Sequence, residues 1–239
     1  MKNLLLAAAC ALAFASAPAH ATLQLSISAN GSTFTCSDGE LSCDLSGGAN
    51  NLLTVDTNVG GAFVQLTLTT SAFGAPNTLS LSSSNILNES GAPISITLLA
   101  SDTSFIAPIN AINQSSSLTF ASAVGSPASF ERFWADAANV QGANPTNTPG
   151  TLLFTATGTP LTDPDSFDGT HSSVFDALAP FSMTEGAQLN LISGGSVTGF
   201  NQEMQTAVVP EPSTWAMLGA GFGLMALLGI KRKSARYAI

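Results

Sequence analysis

Residues 23–31 read Leu-Gln-Leu-Ser-Ile-Ser-Ala-Asn-Gly, and the fold is decided there. Leu23, Leu25 and Ile27 alternate with Gln24 and Ser26, a period of two that puts apolar side chains on one face of an extended strand. The run then meets Asn30-Gly31, a dipeptide that tolerates two successive left-handed residues and so closes a tight hairpin. Working outward, the same alternation returns in Val64-Gln65-Leu66-Thr67-Leu68-Thr69 after Asn58-Val59-Gly60-Gly61. It recurs in Leu79-Ser80-Leu81, Ile94-Ser95-Ile96-Thr97-Leu98, Leu118-Thr119-Phe120 and Leu189-Asn190-Leu191. Turn residues punctuate these runs at short intervals, which predicts an all-β antiparallel sandwich of about ten to twelve strands. Ser193-Gly194-Gly195-Ser196 reads as a further hairpin turn. One segment breaks the pattern. In Ser129 to Val140, Phe130, Phe133, Trp134 and Ala137 fall at helical spacing, so a short helix is expected there, stopped at Gly142-Ala143-Asn144-Pro145.

The chain of 239 residues is 9% charged, where a soluble domain carries roughly 25%. Between Thr22 and Thr214 the only cation is Arg132, against all 15 acids, a net charge of −14. Such a surface repels phosphate backbones and excludes nucleic acid as a partner. The same span has no lysine, which excludes a Schiff-base lysine and a Walker-type phosphate loop.

Both ends read as addresses. Residues 1–21 carry Lys2, an apolar run from Leu4 to Ala15 and then Ala19-His20-Ala21. This is a secretory signal, cut by signal peptidase so that Thr22 becomes the mature N-terminus. Its apolar run is too short to span a bilayer about 30 Å thick, and Cys10 lies inside that run, out of place for lipidation. At the other end Trp215 to Ile230 is an uncharged stretch of 16 residues followed by Lys231, Arg232 and Lys233. As a helix it extends roughly 24 Å, a short transmembrane segment whose basic cluster stays in the cytoplasm. Residues 22–207 are then an ectodomain and residues 208–239 a tail.

Before the apolar stretch stands Val209-Pro210-Glu211-Pro212-Ser213-Thr214-Trp215. Two prolines around one glutamate hold the chain extended and accessible to a processing enzyme. The order of proline-flanked glutamate (210–212), glycine-rich helix (215–230) and basic end (231–239) resembles the PEP-CTERM sorting signal of Gram-negative bacteria. The resemblance implies that an exosortase, a membrane-embedded transpeptidase-like enzyme, recognises Pro210, Glu211 and Pro212, with Lys231, Arg232 and Lys233 as the stop. It further implies an inner-membrane tether during sorting, then a place at the cell surface or in the extracellular matrix, with exopolysaccharide and biofilm.

Cys36 and Cys43 are the only cysteines left after signal removal, and in an oxidising compartment they are expected to form a disulfide around Asp38-Gly39. Catalytic groups are scarce. His171 is the one ectodomain histidine, Asp168 and Asp176 are its nearest acids in sequence, and no GxSxG turn is present. Asp163, Asp165 and Asp168 form a candidate calcium loop, since clustered carboxylates suit that ion. Yet Phe167, Asp168 and Val174 stand where an EF-hand needs an oxygen ligand, a glycine and a glutamate. The expectation is a non-catalytic matrix protein with no cofactor unless calcium binds. A carbohydrate-binding module or hydrolase is the alternative, with Trp134 as its natural aromatic and no tyrosine to help, because Tyr237 lies in the tail.

Overall fold

The computed structural model describes residues 23–71, 76–143 and 148–207. The chain divides into two units, 1–207 and 208–239, and every described residue belongs to the first. Signal residues 1–21 and the expected membrane helix 215–230 lie outside the described residues. Among those described, no helix is long and apolar enough to cross a membrane.

Twelve strands follow one another: β1 (Gln24–Ala29), β2 (Ser32–Ser37), β3 (Leu52–Val59), β4 (Ala62–Ser71), β5 (Thr78–Asn88), β6 (Ile94–Phe105), β7 (Ile109–Ala121), β8 (Ser129–Asp136), β9 (Thr151–Gly158), β10 (Asp165–Ala177), β11 (Phe181–Leu191) and β12 (Ser196–Thr206). They form a first six-stranded sheet, β2-β1-β6-β11-β8-β9, and a second, β10-β7-β12-β5-β4-β3, with every pairing antiparallel.

Alternation makes the core. In β4, Ala62, Val64, Leu66 and Leu68 are buried while Phe63, Gln65 and Thr67 are less so, and the same beat runs through β7 and β12. Leu25, Ile27, Leu81, Ile96, Leu98, Phe120, Phe133 and Leu189 join them between the sheets. Each such side chain contributes roughly 1.5–3 kcal/mol by leaving water, so the sandwich rests on a core built from many short strands.

Turn chemistry sets the register. Asn30 (φ 47°) and Gly31 (φ 75°) close β1 on β2 as the dipeptide predicts. Gly60 (φ 58°) and Gly61 (φ 86°) do the same for β3 and β4. A side chain on Gly60 would run into the Ala29 carbonyl, because the two turns are packed together and Asn30 Nδ2 donates to Gly60 O at 2.8 Å. The Cys36–Cys43 disulfide is present and ties the end of β2 to the loop that follows it.

Two expectations are corrected. Ser129 to Val140 is not a helix: Ser129–Asp136 is β8, paired with β11 on one side and β9 on the other. Ser129, Glu131, Phe133 and Ala135 point inward and Phe130, Arg132, Trp134 and Asp136 outward, so the aromatics that coincide with helical spacing serve both faces of a strand. Ladder bonds on both edges outweigh a weak helical preference. Asp136 then turns the chain by accepting from the Ala138 and Val140 N–H groups. Second, Ser193-Gly194-Gly195-Ser196 is not a hairpin turn. It carries the chain from β11 in the first sheet to β12 in the second.

Candidate functional site

The outer face of the first sheet holds a feature that the linear sequence conceals. Because β8 is a strand, Phe130, Arg132 and Trp134 project side by side from it, at intervals of roughly 6.8 Å. Their pairing partners supply the surroundings: Thr157 and Gln188 flank Phe130, Thr155 and Gly186 flank Arg132, and Leu152 and Thr184 flank Trp134. Gln188 is followed on the next strand by Thr97, and Gly186 by Leu99. The signal was in the sequence as Phe-x-Arg-x-Trp at period two, hidden by the coincident helical spacing.

Gly186 leaves room at the centre. A Cβ there would lie 2.6 Å from Leu99 Cδ2 and 3.0 Å from Trp134 Cζ3, so the indole edge rests over bare backbone. Around it is a shallow depression of about 180 Å³, lined by Thr97, Leu99, Arg132, Trp134, Gly186 and Gln188. The segment after β8 packs on the sheet just beyond Trp134. There Gly142 N donates to Ser101 Oγ at 2.9 Å and Ser182 Oγ to Val140 O at 2.7 Å.

Arg132 is the centre of the charge pattern. Its guanidinium carbon lies 5.3 Å from the Phe130 ring centroid, a cation–π contact that leaves its N–H groups free. Among the described residues it makes no ion pair and no hydrogen bond. The acid nearest on the same face of the strand, Asp136, is occupied by the turn it caps.

Between the sheets lies a second polar group. Glu131 and Glu185 share the inner face of the first sheet as diagonal neighbours, Glu131 pairing with Ala187 two residues on. Opposite them Gln202 and Ser116 pair directly on β12 and β7. Glu131 Oε1, both Glu185 oxygens, Ser116 Oγ and Gln202 Oε1 have no hydrogen-bond partner, while Gln202 Nε2 donates to Gly186 O at 3.1 Å and links the sheets. Burial pushes the Glu131 carboxyl up to about 7. Burial, and next the charge of Glu203, holds Glu185 well above the ordinary carboxylate range. Glu185 is fully buried, whereas Glu131, 4% exposed, borders a depression of about 260 Å³ that Ala156, Thr157, Ser166, Phe167 and Asp168 also line.

The sequence candidates fall elsewhere and apart. On β10, His171 stacks on Phe154 with ring centroids 4.7 Å apart, whereas Asp168 and Asp176 occupy alternate positions that face the other way. No Ser-His-Asp relay is assembled among the described residues. Asp163 Oδ1 accepts from Ser122 N at 2.7 Å, and Asp165 accepts from the N–H groups of Leu161, Thr162 and Ser166. Asp168 instead joins a polar row, Asp168-Ser117-Asn201-Ser82-Thr67-Thr54, across the outer face of the second sheet. Among the described residues, the group of three or more potential ligands with adjoining ligand atoms is Cys36, Glu40 and Cys43, and the disulfide consumes both sulfurs. Ala19, Ala21 and Thr22, like Pro210, Glu211, Pro212, Lys231, Arg232 and Lys233, lie outside the described residues.

Among solved structures, the ectodomain is similar to carbohydrate-binding modules of the β-sandwich superfamily (14% identity, 77% of this chain and 71% of that one, TM-score 0.32). It is similar also to a structure of infectious bursal disease virus, Gx strain (13%, 84% and 55%, TM-score 0.35), and to the cleaved adhesin domain of Lys-gingipain (9%, 70% and 87%, TM-score 0.27). These likenesses are too distant to carry an argument about function. No curated protein matches the sequence. Residues 208–233 match the family model of the PEP-CTERM protein-sorting motif, and that tail marks the chain as an exported protein sorted by an exosortase.

Proposed function

We propose that the ectodomain is a non-catalytic structural protein of the cell surface or extracellular matrix that holds exopolysaccharide, as in a biofilm. The sorting motif at 208–233 carries this reading: after signal cleavage at Ala21-Thr22 the precursor is tethered in the inner membrane by 215–230, then cut near Pro210-Glu211-Pro212. A strongly acidic domain with no Ser-His-Asp relay assembled among its described residues suits adhesion better than hydrolysis. In this reading the domain works without a cofactor unless calcium binds at Asp163, Asp165 and Asp168. A dedicated sugar-binding module is the second reading, favoured by one observation: Phe130 and Trp134 are half-buried on the same face of β8.

The test is intact-mass and terminal-peptide spectrometry on protein from cells and from their matrix. We expect an N-terminus at Thr22 and a C-terminus between Pro210 and Thr214, with the E211A precursor retained in membranes. A tail intact through Ile239 in every fraction would remove the sorted-matrix reading.

A further inference from the structure

An unpaired arginine is an odd thing to keep in a domain that otherwise carries only acids. Arg132 has fourteen ectodomain carboxylates to choose from and pairs with none of those described, although Asp136 stands four residues along the strand on the same face. It lies over Phe130 instead, its guanidinium carbon 5.3 Å from the ring centroid, and its N–H groups make no hydrogen bond among the described residues. A guanidinium so placed presents parallel N–H donors that match the two oxygens of a carboxylate. The neighbours add a second requirement. Half-buried Phe130 and Trp134 offer apolar ring carbon, and Thr97, Thr155, Thr157 and Gln188 offer small hydrogen-bonding groups around them. A ligand that satisfies all of these has apolar C–H faces, many hydroxyls and an isolated negative charge.

Resting on the proposed matrix role, we infer that Phe130, Arg132 and Trp134 form a binding site for a uronate residue within an otherwise neutral polysaccharide. The carboxylate meets Arg132, and adjoining sugar rings lie on the aromatics over the Gly186 depression. The charge has to be isolated. The negative field of the domain reaches about 8 Å from its surface in physiological salt and repels a uniform polyanion all along the contact, whereas one carboxylate delivered to Arg132 by a neutral chain meets little of it.

Calorimetry on the mature exported protein tests this with three ligands: a neutral hexose oligosaccharide bearing one glucuronate, its carboxyl-reduced counterpart, and the exopolysaccharide of the producing cells. We expect the glucuronate ligand to bind at least tenfold more tightly than the reduced one. That preference should vanish in R132Q and be partly restored in R132K, since lysine keeps charge but loses the fork. W134A should weaken both ligands together, and T170A on the second sheet should change neither. Far-ultraviolet circular dichroism checks that each variant is folded. If the protein binds the native polymer but R132Q binds it equally, or if the two oligosaccharides bind alike, this site is overturned and the matrix role stands. If no carbohydrate binds at all, the exopolysaccharide role falls with it.

Discussion

At the residue scale, Gly186 is the position on which the outer face of the first sheet turns. Any side chain there must displace Leu99 Cδ2 and the edge of Trp134, with the Leu98 carbonyl close behind at 3.2 Å. Overpacking of this kind costs about 1–3 kcal/mol, and here it also lifts an indole off the backbone. Trp134 is the one tryptophan between Thr22 and Thr214, so its fluorescence in the mature protein reports on the site. G186A is expected to shift the Trp134 emission to longer wavelength and to weaken sugar binding, with a small loss of stability. An unchanged emission maximum would show that the ring does not depend on the glycine. Little of this was legible in the chain itself. Gly186 sits in a run of ordinary strand residues, and nothing local says which aromatic on another strand will lean across it. The buried pair Glu131 and Glu185 was equally hidden, for the acids lie 54 positions apart and become neighbours only through the β8–β11 ladder.

At the element scale, local chemistry spoke clearly wherever the decision was local. The Asn30-Gly31 turn, the alternating strands and the Cys36–Cys43 pair all follow from neighbours within a few residues, and each is found as expected. Where a choice depended on partners far along the chain, the sequence misled. Segment 129–136 satisfies two periodicities at once, and only the edges offered by β9 and β11 decide for the strand. The turn at 193–196 has hairpin residues but crosses between sheets, because β12 finds its partners in β5 and β7. The disulfide loop allows a test at this scale. The bridge closes a separation of seven residues, and in the chain-entropy account so small a ring stabilises by about 2.5 kcal/mol. Joint replacement, C36S with C43S, is expected to lower the unfolding free energy measured in urea by that amount without changing the sheet content. A loss several times larger would mean that the bridge also organises the 38–51 loop, where Asp38 accepts from Asn50 N and Asn51 N and Asp44 from Gly39 N and Ser46 N.

At the scale of the whole molecule, the polar layer inside the sandwich links stability to pH. Glu131, lifted by burial to about 7, Asp102, lifted by burial to about 6, and Glu185, held by burial well above the ordinary carboxylate range, are all favoured by the fold in their neutral forms. The unfolded chain ionises these groups near 4. A carboxyl raised in the folded state contributes its full stability below the unfolded value and loses it as the pH climbs through the folded one. For Asp102 and Glu131 the window for loss therefore runs from about pH 4 to pH 7. For Glu131 alone the displacement corresponds to about 3 kcal/mol. Thermal melts should give a higher midpoint at pH 5 than at pH 8. General repulsion among the surface acids pushes in the same direction, so the buried contribution needs its own control. Glutamine has nearly the shape of glutamic acid and cannot ionise. E131Q is thus expected to keep the pH 5 midpoint, raise the pH 8 midpoint and flatten the slope between them. Added salt, which screens the surface charges, should move wild type and E131Q alike. A variant with the same slope as wild type would show that Glu131 stays ionised inside the fold, and the alkaline weakening would then belong to the surface charge alone.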